Sequence, residues 1–156
     1  MLTPEEYRNM MDKMPIPCID LAMDFPEGLL WIRRDNHPYR GYWAMPGGRI
    51  FKYETMDEAI DRIAKKETGL DVSRRPRKLL GLYSVVNSME PNLIRHDITS
   101  LYSLDLTENF SDVLLASKMR PDRSQVQDVK FTNEMPEPIG ELHIWEYNDM
   151  KKAGLI

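Results

Sequence analysis

The 156-residue chain has one cysteine, three histidines and no long apolar run, and each shortage closes a class of function. Cys18 alone allows no intrachain disulfide and no multi-cysteine zinc site. It sits in the apolar run PCIDLAMDF, so a buried, inert thiol is expected there, not a nucleophile. No segment approaches the length that crosses a bilayer. The mixed-charge N-terminus MLTPEEYRNMMDK lacks the apolar core of a signal peptide, so a cytoplasmic protein without a membrane partner is expected. Positive charge is short as well: 21 Lys and Arg against 25 Asp and Glu leave a net charge of −4. That balance argues against a general nucleic-acid binder, which needs a broad cationic surface. A few arginines gathered in one pocket would still suit a small anionic substrate. Internal repeats and low-complexity tracts are absent too.

What is present reads as one soluble domain over residues 1–156, with 42% hydrophobic and 29% charged residues and enough length for a real core. Thr3-Pro4-Glu5-Glu6 opens a helix with a capping box and proline at the first turn. Tyr7, Met10, Met11 and Met14 share one face of it, and Pro15 and Pro17 end it. Ile19, Leu21 and Met23 alternate, which predicts a strand with one buried face. A turn at 25–28 leads to a partner strand, Leu29 to Arg34. The polar loop DNHPYRGYW then runs into Pro46-Gly47-Gly48, turn chemistry that suits close approach to a ligand.

Thr55 and Glu58 form a second capping box. Met56, Ala59, Ile60, Ile63 and Ala64 mark the core face of the helix it opens, and Gly69 stops that helix. Strands follow at Leu79–Val86 and Ile98–Leu106, separated by an irregular segment around residues 89–92. Residues 112–128 read as a charged loop, Val129–Thr132 as a short strand, and Pro136 and Pro138 lead into a last helix ending near 151–154. Strands lying first and last around a central helix imply a mixed sheet packed between helices.

The stretch GGRIFKYETMDEAIDRIAKKETGL, residues 47–70, carries the chemistry. It resembles the Nudix hydrolase signature G-x5-E-x7-R-E-U-x-E-E-x-G-U, where U is aliphatic. Gly48, Glu54, Arg62, Glu67, Gly69 and Leu70 match at the right spacing, while Ile63 and Lys66 stand where that signature has glutamates. The resemblance implies an α+β, Nudix-type α/β/α sandwich with a mixed β-sheet. A site with one surviving carboxylate cannot hold a metal cluster, but a single Mg²⁺ commonly uses one or two carboxylates plus substrate phosphates and water. The GDP-mannose mannosyl hydrolases show the same reduced pattern and a similar GYW-x-x-PGGR approach. Their water attacks the anomeric carbon, so the metal need only neutralise the departing diphosphate.

The resemblance to that branch implies Mg²⁺ on the Gly47 carbonyl, Glu67 and a loop glutamine, with Gln125 the best match and Gln127 the second. Arg34 and Arg49 match arginines that stabilise the leaving diphosphate, and Arg62 the arginine that orients the acidic residues. Asp20 and Tyr102 match positions near the substrate, a capping or half-buried strand role being the alternative for each. The branch has a general-base histidine directly after its glutamine, where this chain has Val126. With the loop shifted to Gln127, Asp128 takes the base position. His37 lies in the arginine-rich loop, either on phosphate or on the surface. His96 follows Arg95 at a strand entry within reach of the pocket, and His143 reads as structural. The implied partner is a nucleotide-sugar substrate, and the branch implies a homodimer, with the Tyr7–Met14 face either at that interface or closing the chain's own core. Two other readings stand beside this one. The first is a pyrophosphohydrolase with ligands recruited from Glu54, Glu58 or Glu90. The second is a non-catalytic nucleotide-binding domain.

Overall fold

The computed structural model describes residues 2–36, 39–90, 93–107 and 126–156. The chain order is α1 (Pro4–Met11), β1 (Ile16–Phe25), β2 (Gly28–Arg34), β3 (Trp43–Ala44), β4 (Gly47–Arg49), α2 (Met56–Thr68), β5 (Arg77–Glu90), β6 (Leu93–Asp105), β7 (Val126–Phe131) and α3 (Glu141–Lys152). The seven strands form a mixed sheet in the order β3-β2-β1-β6-β5, with β4 on β1 and β7 on β2. β1 and β6 run parallel over nine residue pairs, Ile16↔Asp97 to Asp24↔Asp105. The other pairings are antiparallel.

Both capping boxes form. Glu6 N donates to Thr3 Oγ1 at 3.2 Å and Thr3 N to Glu6 Oε2 at 2.7 Å. Thr55 and Glu58 repeat the pattern at α2. Gly69 closes α2 with φ 79°, a left-handed conformation that glycine adopts without steric cost.

The sheet is covered on both faces, which corrects the expectation of a single buried face for β1. Ile19, Leu21, Met23 and Phe25 pack against Ala59, Ile60, Ile63 and Ala64 of α2. On the other face Ala22, Leu29, Trp31 and Leu101 meet Tyr147 and Met150 of α3. With a helix on each side, alternate residues of β1 go to different cores, and the polar ones must find buried partners. Of the α1 stripe, Met11 is buried with Ile16 and Cys18, Tyr7 and Met10 pack against them, and Met14 stays exposed.

Two other boundaries differ from expectation. β5 and β6 run further as a ribbon, up to Glu90 and from Leu93, because their antiparallel pairing resumes at Glu90↔Leu93. β7 begins at Val126, inside the segment read as loop, because its backbone pairs with β2 from Phe131 back to Val126. Among the described residues no helix is long and apolar enough to cross a membrane.

Candidate functional site

The sheet and both covering helices meet around a cavity of about 260 Å³. Its walls come from seven elements: Cys18 and Asp20 of β1, Arg34 of β2, Ala44 of β3, Gly47–Arg49 of β4, Lys66 and Glu67 of α2, Arg95, Asp97 and Thr99 of β6, and His143 of α3. Tyr39, Tyr42 and Trp43 add an aromatic side.

Strand parity selects these side chains. Residues 18 and 20 point to the face opposite Ile19 and Leu21, and the parallel neighbour β6 puts Asp97 and Thr99 on that same face. Glycine at 47 is required: a Cβ there would lie 2.0 Å from Asp20 Oδ1, so only a bare backbone can pass that close to a buried carboxyl. The approach is fixed by Leu21 N donating to Pro46 O at 2.8 Å and by the Asp20↔Gly47 pairing.

Arg62 holds the loop from outside the cavity. It ion-pairs with Glu54 through Nε, and its Nη2 donates to Glu54 Oε2 at 2.8 Å and to the Arg49 carbonyl at 2.9 Å. Its guanidinium lies 3.8 Å from the centre of the Phe51 ring. The bond from Arg62 keeps the Glu54 carboxyl below its usual range. Arg49 itself stacks over Tyr7 of α1 at 4.3 Å.

Glu67 is mostly buried, 8% exposed, with Lys66 Nζ 3.7 Å from its Oε1. One turn earlier Ile63 is 1% exposed and belongs to the apolar core under the sheet. It packs beneath the loop, 3.5 Å from where a Cβ on Gly48 would stand. α2 therefore turns one carboxylate to the cavity, not several. Burial lowers the pKa of Arg34, and the negative charges of Glu67 and Asp20 oppose that shift. The Glu67 carboxylate and Gly47 carbonyl are hard oxygen donors of the kind Mg²⁺ takes. They would suit a single ion, and one carboxylate from α2 is too few for a cluster. Gln125, the third expected donor, and His37 lie outside the described residues.

The remaining expected residues are placed away from the cavity. Tyr102 pairs with Leu21 on β1 and packs into the α2-side core, on the opposite face from Asp20. Gln127 does not face the cavity: its Nε2 donates to Asp35 Oδ1 at 2.8 Å. Asp128 is exposed on β7, where its Oδ1 accepts from Val129 N at 2.8 Å. β7 pairs with β2, and that register turns Asp128 to solvent, so the base position expected there is not at the cavity. His96 is 2.9 Å from the Ser84 hydroxyl and does not line the cavity. Cys18 behaves as expected: burial and the neighbouring Asp97 push its thiol up to about 12, so it stays protonated.

Two groups of side chains emerge only in three dimensions. Arg95 Nε donates to Asp97 Oδ1 at 2.6 Å, bringing a further cation to the cavity wall. Deeper, Asp20, His143 and Glu146 bring their polar atoms within 4.8 Å of one another. His143 Nδ1 lies 2.7 Å from Glu146 Oε2 and 3.8 Å from Asp20 Oδ2. At 2.7 Å nitrogen and oxygen share a proton, so we read a hydrogen-bonded dyad and not the flanks of an ion. Glu146 is fully buried, and its Oε1 has no hydrogen-bond partner among the described residues. Burial pushes its carboxyl up to about 8. Burial and the adjacent Glu146 push Asp20 well above the usual carboxylate range, and burial lowers His143. The one sequence signal for this dyad was a His–Glu pair at i, i+3 on the helix face that also carries Tyr147 and Met150.

The fold recurs in solved structures. A MutT NUDIX hydrolase from Burkholderia pseudomallei superposes with a TM-score of 0.71 at 18% identity, over 88% of this chain and 98% of that one. The NUDIX domain of Shewanella oneidensis NrtR, solved with ADP ribose, gives 0.65 at 20% identity over 97% and 99%. Among curated proteins, the low-salt glycan biosynthesis protein Agl8 of Haloferax volcanii is 37% identical over 73 residues, 47% of each chain. The ADP-ribose pyrophosphatase of Methanocaldococcus jannaschii is 35% identical over 92 residues, 59% of this chain and 52% of that protein. The chain thus spans about half the length of the curated relatives it matches. The NUDIX domain family itself matches residues 17–136, from β1 through the end of β7, and the chain belongs to that family.

Proposed function

We propose that this protein is a Mg²⁺-dependent hydrolase of a nucleoside-diphosphate sugar, of the GDP-mannose type, that directs water to the anomeric carbon and releases the nucleoside diphosphate and free sugar. The observation that carries this reading is Ile63. It is buried in the core one turn before Glu67, which leaves one carboxylate of α2 beside a cavity lined by Arg34, Arg49, Arg95 and Lys66. Such a site is rich in charge for a leaving diphosphate and poor in ligands for a metal cluster that attacks phosphorus.

Glu67, the Gly47 carbonyl and Gln125 are the residues that would hold the ion. When bound, it neutralises charge on the departing diphosphate. Arg34 and Arg49 bind the same phosphates and share that charge, bidentate contact being the natural mode of a guanidinium. Arg62 keeps the Gly47–Arg49 loop and Glu54 in place. Asp20 offers a carboxyl for sugar hydroxyls, and His37 is assigned to phosphate. A relative in glycan biosynthesis fits a nucleotide-sugar substrate.

A second reading has its own support: the 35% identical match to an ADP-ribose pyrophosphatase covers more of this chain. In that case water attacks phosphorus in ADP-ribose. Incubation of GDP-mannose, GDP-glucose and ADP-ribose with the protein and Mg²⁺ in ¹⁸O-water separates the two. Unlabelled GDP with labelled sugar is the expected result. Label in a monophosphate or sugar phosphate would establish the second reading, and tight nucleotide binding with no turnover would leave a binding domain.

A further inference from the structure

The reaction proposed above needs a group to take the proton of the attacking water, and the base position read from the sequence is exposed on β7. We propose that His143 is that general base, with Glu146 the positioning residue behind it; this rests on the sugar-releasing reading of the site.

His143 is the only described histidine that lines the cavity, where it stands with Asp20, Arg34, Gly47 and Glu67. Its side chain is 14% exposed, open enough to meet a water and covered enough to hold it in one place. The 2.7 Å contact from Nδ1 to Glu146 Oε2 fixes the ring. Once Glu146 is ionised its carboxylate accepts from Nδ1–H, which leaves Nε2 as the basic nitrogen. Burial keeps the ring in its neutral, proton-accepting form. In the step itself the water oxygen bonds to the anomeric carbon and its proton passes to His143 Nε2. The bond from that carbon to the diphosphate oxygen breaks, and the electron pair leaves on the diphosphate. The imidazolium so formed sits against Glu146, whose second oxygen has no hydrogen-bond partner among the described residues. This is the arrangement by which a buried carboxylate orients and stabilises a catalytic histidine.

The groups acting on this dyad are Asp20 from β1, Arg34 from β2, Asp97 from β6 through Asp20, and Tyr83 from β5. With Glu146 titrating near 8, the dyad must lose one proton before Nε2 can accept, so kcat rises with pH through that region.

The test compares wild type, His143→Ala and Glu146→Gln with GDP-mannose and Mg²⁺ in ¹⁸O-water, with circular dichroism to check the fold. We expect His143→Ala to lose about 100-fold or more in kcat with KM little changed, and added imidazole to restore part of it. Glu146→Gln, which keeps the hydrogen bond to Nδ1 but removes the charge, should fall about 10-fold and shift the acid limb of its pH profile below that of wild type. If labelled sugar forms but His143→Ala stays within about threefold of wild type, or imidazole does nothing, the base is elsewhere while the sugar-releasing reading survives. If His143→Ala does not fold, an unshifted acid limb in Glu146→Gln overturns the inference alone. Label appearing in phosphate sinks both.

Discussion

Glu146→Gln should make the protein more stable, and only at neutral to alkaline pH. The side chain is fully buried on α3 between His143 and Asp20. Its carboxyl titrates at about 8 in the folded protein against a reference of 4.5. A raised folded pKa means the folded state holds the proton more tightly than the unfolded chain. The resulting stability is complete below about pH 4.5 and is lost as pH rises toward 8. The gap of about 3.5 pH units, at about 1.4 kcal/mol each, sets a ceiling on the order of 5 kcal/mol. Glutamine has nothing to ionise, keeps an acceptor for His143 Nδ1 and gains a donor for Asp20. His143, whose pKa is lowered, works in the opposite sense, with stability lost as pH falls below its unfolded value, but it does so in both proteins. Urea unfolding of the two proteins from pH 5 to 9 is the assay. The midpoints should nearly coincide at pH 5 and separate by up to about 2 M near pH 8–9, with the variant higher, for a slope of about 2 kcal/mol/M. Parallel curves across that range would refute the reasoning, because Glu146 would then ionise as easily in its folded setting as in the unfolded chain.

Glu67→Gln should reduce Mg²⁺-dependent turnover by about 100-fold or more while its thermal midpoint stays close to wild type; retained turnover would remove α2 from the metal site. Arg62→Ala removes two bonds to Glu54 and one to the Arg49 carbonyl, so urea unfolding should show a loss of about 1–3 kcal/mol, and Arg62→Lys should recover little of it. Ile63→Glu, which restores a carboxylate to the family signature, should destabilise by about 3 kcal/mol or more, because residue 63 is 1% exposed in the α2 core; near-wild-type stability would mean that position still faces solvent and metal.

How much of this was legible in the sequence follows the distance over which each signal acts. The capping boxes at Thr3 and Thr55 and the glycine stop at Gly69 concern residues a few positions apart, so they read correctly. So did the sheet between helices, because periodicity reports which residues are apolar together. It does not report how many layers cover a strand, which is why β1 turned out to be buried on both faces. β7 was read too short because Val126–Asp128 owe their strand conformation to pairing with Arg33 and Arg34, far earlier in the chain. The signature on α2 was visible for the same local reason as the caps: spacing of four places residues 63 and 67 one turn apart. Its departures, Ile63 and Lys66, were visible with it. The charged groups on the other walls were not. The Arg95–Asp97 pair sits on β6, and the His143–Glu146 dyad reaches Asp20 from α3 across more than a hundred residues. The place of His143 on the cavity wall was not legible, because a lone histidine within a helix carries no spacing that points to a strand near the other end of the chain. A motif describes one wall of a cavity, and this cavity has walls from seven elements. Where α2 brings one carboxylate to its wall, the others bring Asp20, Arg34, Arg95 and His143.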